Sequence, residues 1–308
     1  MTDAPWDRVE SALAVLAVDP AALGGLWLRA RSGPIRDRVV AALAALPRPL
    51  RRLHPGAGDE VLYGGIDLAA TLASGHAIRS AGMLAGGPAV VLAMAERCPG
   101  GLAARLGQWL DTGAGAVIAL DEGAEADEIA PAALTERLAL FLDLDGLGWG
   151  ETRAITPDPT TLARARAALP GIATPPQALL AMAEAATALG IDSLRAPMLA
   201  LAAARALAAL RGADAVGEAD LQMAAGLVLA HRATVIPEPA PEDQETPPDQ
   251  PPDQPPDQPP DQPEAEDQSE TPDDSAEIPP EMLLEAVRAA LPADLLAKLA
   301  AGRAARAA

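Results

Sequence analysis

Between residues 6 and 150, short apolar runs alternate with stretches whose apolar side chains recur every three or four positions. Such runs predict buried strands, and the wider spacing predicts helices with one face on a core. The expected strands are 26–29, 61–63, 89–93, 117–120 and 140–144. The helices expected between them are 35–46, 68–73, 102–110 and 132–138. Strand and helix in alternation build a parallel sheet joined by crossover helices, an α/β arrangement.

After Thr156 the strand pattern stops, and four helical stretches follow at about 160–168, 177–189, 195–210 and 218–233. Pro175 and Pro176 stand where a helix start tolerates proline, and Gly190 and Gly212 fall just past helix ends. A small all-α lid behind the α/β core is the expected result. The organisation predicted is a core over 1–156, a lid over 157–236, a linker over 237–280 and a short helical segment over 281–308. That last stretch, helical near 282–291 and 295–299, is expected to lead into a further domain.

Composition changes this picture in two places. Half of the 308 residues are apolar but only 2% are aromatic, so the core has to be assembled from small side chains on closely packed helices. The formal net charge of −20 is concentrated: residues 237–280 hold fifteen Asp and Glu and no Lys or Arg, leaving about −5 for the rest. Within that stretch Pro-Pro-Asp-Gln occurs four times between Pro247 and Gln262. So acidic and proline-rich a segment cannot bury enough surface to offset its ordering entropy, so it reads as an extended spacer or as a docking strip for a basic partner. No basic stripe interleaved with aromatics is present, which argues against nucleic-acid binding.

Cys98 stands alone, so disulfide and cysteine-metal frameworks are excluded, and a reducing cytoplasm is the expected location. No signal peptide is expected at the start, and the Ala-rich stretch 178–210 is broken by Glu184, Asp192, Arg195 and Arg205 too often to span a membrane. His54, His76 and His231 are too scattered for a metal cluster. Asp121, Glu122, Glu125, Asp127 and Glu128 read as a solvated loop, with cation binding as the alternative.

The turn after the first strand sits where a G-x-x-x-x-G-K-[ST] phosphate loop belongs. Laid on that motif, Ala30 replaces the first glycine, Ile35 the second, Arg36 the lysine and Asp37 the magnesium-binding hydroxyl, with Gly33 the loop's remaining glycine. Asp37 repels a phosphate and Ile35 crowds it. The strand at 89–93 should end in an Asp-Glu pair that supports magnesium and polarises water, but Ala93 and Met94 stand there, with Glu96 two residues on as a conceivable substitute. Two arginines remain as candidates. Arg137 closes a helix before the last strand, where a ring ATPase presents an arginine to its neighbour's nucleotide, and Arg195 opens the long lid helix, where an arginine faces the γ-phosphate. A plain surface role at a helix end is the alternative for each.

The stretches 25–34 (Gly-Leu-Trp-Leu-Arg-Ala-Arg-Ser-Gly-Pro), 65–72, 82–85, 119–125, 203–212 and 227–232 together resemble the D subunits of magnesium chelatases, over roughly residues 6–235. The resemblance implies an AAA+ P-loop NTPase-like fold with helices on both sheet faces and a helical lid. The losses at the loop and at the end of strand 89–93 predict a chain without ATPase activity of its own, and the resemblance implies that it serves a magnesium chelatase of (bacterio)chlorophyll biosynthesis that uses ATP and Mg2+ at the level of the complex. The partners implied are an ATP-hydrolysing I subunit in a hetero-oligomeric ring and a porphyrin-binding H subunit. An integrin-like domain with an adhesion-site metal follows the spacer in that family, and no Asp-x-Ser-x-Ser follows here. Arg137 and Arg195 match the family's finger and lid arginines, whereas its loop lysine and strand-end acids have no counterpart. Two other readings stay open: an adaptor of another metal- or cofactor-inserting machine, and a self-sufficient ATPase using Arg36 and Glu96.

Overall fold

The computed structural model describes residues 5–125 and 127–235, together with 282, 285, 286, 290 and 291. The acidic linker at 237–280 and most of the segment at 281–308 lie outside the described residues. In chain order the first part runs α1 (Pro5–Val18), β1 (Gly25–Arg29), α2 (Pro34–Ala42), β2 (Leu50–Leu53), α3 (Asp59–Tyr63), β3 (Gly64–Ile66), α4 (Leu68–Ser74) and β4 (Arg79–Ala81). It continues with β5 (Ala89–Leu92), α5 (Gly100–Asp111), β6 (Ala116–Asp121), α6 (Ala132–Thr135) and β7 (Leu140–Asp143). The helices α7 (Pro159–Ala168), α8 (Pro176–Ala188), α9 (Arg195–Arg211) and α10 (Glu218–Val228) follow.

Five strands make one parallel sheet in the order β2-β5-β6-β1-β7. Alternate residues of the inner strands point to opposite faces, as the pleat requires. Ala89, Val91, Ile118 and Leu120 join α1, α2 and the later helices in one core, while Val90, Leu92, Val117 and Ala119 meet α5 and Leu134 of α6 in the other. Helices therefore cover both faces. Both faces being buried explains why these strands read as continuous apolar runs, and each fully buried Leu contributes about 1.5–3 kcal/mol.

Four expectations need correction. Residues 61–63 are not a strand but the end of α3, whose Leu62 is buried while Val61 and Tyr63 are exposed. Besides the short β3 and β4, the pattern missed one strand of the main sheet, β2, Leu-Arg-Arg-Leu, which pairs with β5 alone and so sits at the sheet edge. An edge strand needs no two-sided apolar run, and its arginines discourage pairing with another chain. Arg51 donates to the carbonyls of Gly82 and Met83, which attaches the small antiparallel β3–β4 hairpin and its flanking α3 and α4 to that edge. The helix expected at 132–138 is also shorter, ending at Thr135, and that at 218–233 ends at Val228 before a single 3-10 turn, Ala230–Arg232.

The lid is built around α9, whose buried residues are mostly alanines, Ala196, Ala200, Ala203, Ala204 and Ala208 among them, with Leu199 and Leu201. Small side chains let α7, α8, α10 and α1 approach it closely. Gly212 ends α9 in the left-handed conformation, φ 74°, that only glycine adopts without strain. α1, for which the residue pattern gave no separate element, joins lid to core: Trp6 Nε1 donates to the Arg153 carbonyl, and Arg166 of α7 donates to the carbonyls of Ala17 and Ala45.

Candidate functional site

β1 lies between β6 and β7, while the next strand in sequence, β2, sits at the far edge, so the strand order reverses at β1. Ligands of open α/β sheets bind outside the carboxyl ends of the strands at such a point. The turn from β1 into α2 lies there, beside a crevice of about 260 Å³ whose walls include Ala30, Gly33, Pro34, Arg36, Leu144 and Trp149. The guanidinium of Arg38 lies over the Trp149 ring, 3.4 Å from its centroid, and donates to Thr152 Oγ1.

The place is that of a phosphate loop, but the groups on it do not fit a triphosphate. Pro34, the first residue of α2, has no N–H to offer, and Asp37 already puts a negative charge in the first helical turn. Arg36, at the lysine position, is directed elsewhere. It forms an ion pair with Glu122, which follows β6, and donates from Nη2 to Ser32 Oγ at 2.8 Å. Its side chain is only 13% exposed and its Nε has no partner. A carboxylate of the chain itself thus neutralises the cation that a phosphate loop would direct to its ligand.

Glu96, the conceivable substitute acid, holds that arrangement together. Its side chain is 6% exposed, and Oε2 accepts from the backbone N–H of Glu122 at 3.0 Å. Met94, where the strand-end glutamate of an active site is expected, adopts the left-handed backbone conformation, φ 48°, unlike any other non-glycine among the described residues. Such a backbone costs of order 1–2 kcal/mol and here turns the chain from β5 into the Ala95–Arg97 turn.

The acidic loop is not uniformly solvated. Asp121 is fully buried and accepts from Trp27 Nε1 at 2.8 Å, from Gly123 N at 2.9 Å and from Ala130 N at 3.1 Å. Glu128 accepts from Ala124 N, and that contact holds its carboxyl below the usual range. Among the described residues no group of three His, Cys, Asp or Glu side chains is placed to hold a metal ion.

Arg137 and Arg195 stand at the other end of the sheet. Helices between parallel strands run back against them, so the ends of α5 and α6 lie by the strands' amino ends. Arg137 follows α6, and Ala139 N pairs with the Leu23 carbonyl just before β1. The loop 30–37 is separated from this edge by the length of β1, about 15 Å for five residues. Arg195 therefore does not face the loop of its own chain. Both arginines converge on Asp111, the last residue of α5. Arg137 donates from Nε to Oδ1 and Oδ2 at 3.0 and 3.1 Å and from Nη2 to Oδ2 at 2.8 Å, while Arg195 Nη1 reaches Oδ1 at 2.9 Å. The Arg137 hydrogen bonds, with the charges of both arginines, hold the Asp111 carboxyl below its ordinary range, and Asp111 raises Arg137 in turn.

Glu122 and Asp111 are the site residues that the sequence did not single out in these roles. Each is distant in sequence from the arginines it binds, 86 residues for Glu122 and Arg36 and 26 and 84 for Asp111 with Arg137 and Arg195, so no local motif marks them.

The model of the AAA lid domain matches residues 179–255. The magnesium-chelatase 60 kDa subunit of Cereibacter sphaeroides is 58% identical over 78% of this chain and 43% of its own length. The chain is a relative of the magnesium-chelatase 60 kDa subunits. The corresponding subunit of Rhodobacter capsulatus is 49% identical over 76% of the chain and 42% of its own length. This chain therefore spans less than half the length of the chelatase 60 kDa relatives it matches. The magnesium-chelatase 38 kDa subunit of Cereibacter sphaeroides is 48% identical over 68 residues, 22% of this chain and 20% of that subunit. A solved structure of a candidate ATPase from Cytophaga hutchinsonii superposes with a TM-score of 0.56, covering 74% of this chain and 85% of its own, at 14% identity, a likeness of fold alone. This chain carries an AAA-type parallel sheet followed by an AAA lid domain. No helix among its described residues is long and apolar enough to cross a membrane.

Proposed function

We propose that this chain is the non-hydrolysing AAA+ partner subunit of a magnesium chelatase. In this reading it joins the ATP-hydrolysing I subunit, to which we assign the 38 kDa relatives, in a hetero-oligomeric ring in the cytoplasm. The ring drives ATP-dependent insertion of Mg2+ into protoporphyrin IX on the H subunit during bacteriochlorophyll biosynthesis. ATP and Mg2+ belong to the complex. Residues 1–156 act as its core, 157–236 as its lid, 237–280 as a linker and 281–308 as a short helical segment.

The observation that carries the reading is the Arg36–Glu122 pair, which ties up the cation of the loop while Pro34 and Asp37 remove the donors and the charge balance that a triphosphate needs. What this chain still has to offer an ATPase is the half-buried arginine edge at Arg137 and Arg195, which a neighbouring subunit can approach. A self-sufficient ATPase is disfavoured because Glu96 is engaged with Glu122 rather than free to polarise water.

The test mixes the chain with the I subunit and Mg-ATP, follows size, and measures turnover by each alone. The expected result is co-elution and no turnover from this chain in isolation. Separate species under those conditions, or turnover by the isolated chain that Glu96→Gln abolishes, overturns the reading.

A further inference from the structure

The arginine edge is a unit made by three elements. Asp111 comes from the end of α5, Arg137 from the turn after α6, and Arg195 from the first residue of the lid helix α9. Arg137 is fixed at four points, three on Asp111 and one from Nη1 to the Ala133 carbonyl at 2.7 Å, whereas Arg195 touches Asp111 through a single nitrogen. A second bridge runs alongside, Ser193 Oγ donating to Glu136 Oε1 at 3.0 Å. Of the five N–H donors on each guanidinium, two remain on Arg137 and four on Arg195. The trio keeps a net charge of +1, and the two arginine side chains are 22% and 39% exposed.

We propose that Asp111 is a positioning residue for this pair: its carboxylate sets the two guanidiniums side by side and makes the lid arginine's place depend on the core arginine's. Both then meet one polyphosphate on a neighbouring subunit together. The inference rests on the reading given under Proposed function. A carboxylate shared between two arginines fixes their spacing before the anion arrives, so no reorganisation is needed when charge develops on it. It also ties the arrangement to the lid, because the single Asp111–Arg195 bond joins α9 to the end of α5. A mere staple between lid and core would matter for stability alone.

The experiment compares Asp111→Asn, Asp111→Glu, Arg137→Ala and Arg195→Ala, each assembled with the I subunit. Expected for Asp111→Asn is a loss of about tenfold or more in kcat for ATP with KM and co-elution unchanged, the scale set by small misplacement of a catalytic group. Asp111→Glu should recover most of that loss, since it restores the shared acceptor. In the isolated chain, thermal unfolding of Asp111→Asn, Arg195→Ala and the double variant should be non-additive. Wild-type turnover with Asp111→Asn while the two arginine variants are impaired overturns the positioning role but leaves the partner reading standing. So does a glutamate no better than asparagine, or additive unfolding shifts. Wild-type turnover with all four variants overturns the reading of a trans-acting edge, and this inference with it.

Discussion

His231 shows how burial decides the chemistry of one side chain. Its ring packs 5.2 Å from Phe141, Nε2 lies 2.7 Å from Arg232 Nη1, and Nδ1 is shut away from solvent with no partner. Because an arginine can only donate, Nε2 is the acceptor and the proton of the neutral ring sits on Nδ1. Burial, then the charges of Arg232 and Arg8, push the imidazole well below its ordinary value of 6.5. The unfolded chain therefore takes up a proton first as pH falls. This contribution to stability is whole above about 6.5 and declines below it, by at most about 1.4 kcal/mol per pH unit, until the folded value is reached. Urea midpoints measured from pH 7.5 to 5 should fall more steeply for the wild type than for His231→Phe, which keeps a ring against Phe141. Parallel profiles would refute the assignment. The reading of His231 as a structural residue was available from sequence, but its charge state was not, because Phe141 and Arg8 are far away in the chain. The same limit applied to Arg36, whose replacement of lysine was legible while its engagement by Glu122 was not.

At the scale of elements, β1 is constrained because it is paired on both sides and leads into the crevice. Its first residue, Gly25, has φ 138°, and a Cβ there would lie 1.8 Å from the Val117 carbonyl oxygen of the neighbouring strand. Gly25→Ala must either move β6 or abandon the first pairing of β1. We expect a loss of about 2 kcal/mol or more in unfolding free energy, read from urea denaturation by circular dichroism. A change below about 0.5 kcal/mol, the usual range for neutral surface substitutions, would show that the strand entry is not held as described. β5 and β6 were legible in advance because burial on both faces forces unbroken apolar runs, as was the mostly buried β1, while β7, at the other edge of the sheet, was legible because Leu140, Phe141 and Leu142 keep it apolar. β2 was not, because an edge strand with Arg51 and Arg52 at its centre leaves no such trace. Residues 61–63 misled for the converse reason: Val61 and Tyr63 are β-favouring residues, yet they are the exposed positions of a short helix anchored by Leu62.

For the whole molecule, the question is whether lid and sheet are separate bodies. One continuous core holds α1, β1, β7 and the helices α7 to α10, so the lid has no complete core of its own. Polar contacts cross the same seam. Arg232, which follows α10, donates to the carbonyls of Leu138 and Ala139 at the entry to β7, and Arg8 of α1 donates to the Gly226 carbonyl of α10. Burial lowers the Arg232 guanidinium to about 10, which still leaves it charged at neutral pH, and a buried cation of this kind is tolerated because carbonyl oxygens surround it. The described residues should therefore unfold as one cooperative unit. Near-ultraviolet and far-ultraviolet dichroism should give coincident thermal transitions, and the calorimetric and van't Hoff enthalpies should agree. Arg232→Met strands the carbonyls it served and should lower the unfolding free energy by about 2 kcal/mol or more, the usual scale for buried polar groups left unpaired, while keeping a single transition. Two separated transitions in the wild type would mean that the lid folds by itself, and the seam between α10 and β7 would then be a hinge rather than part of one core.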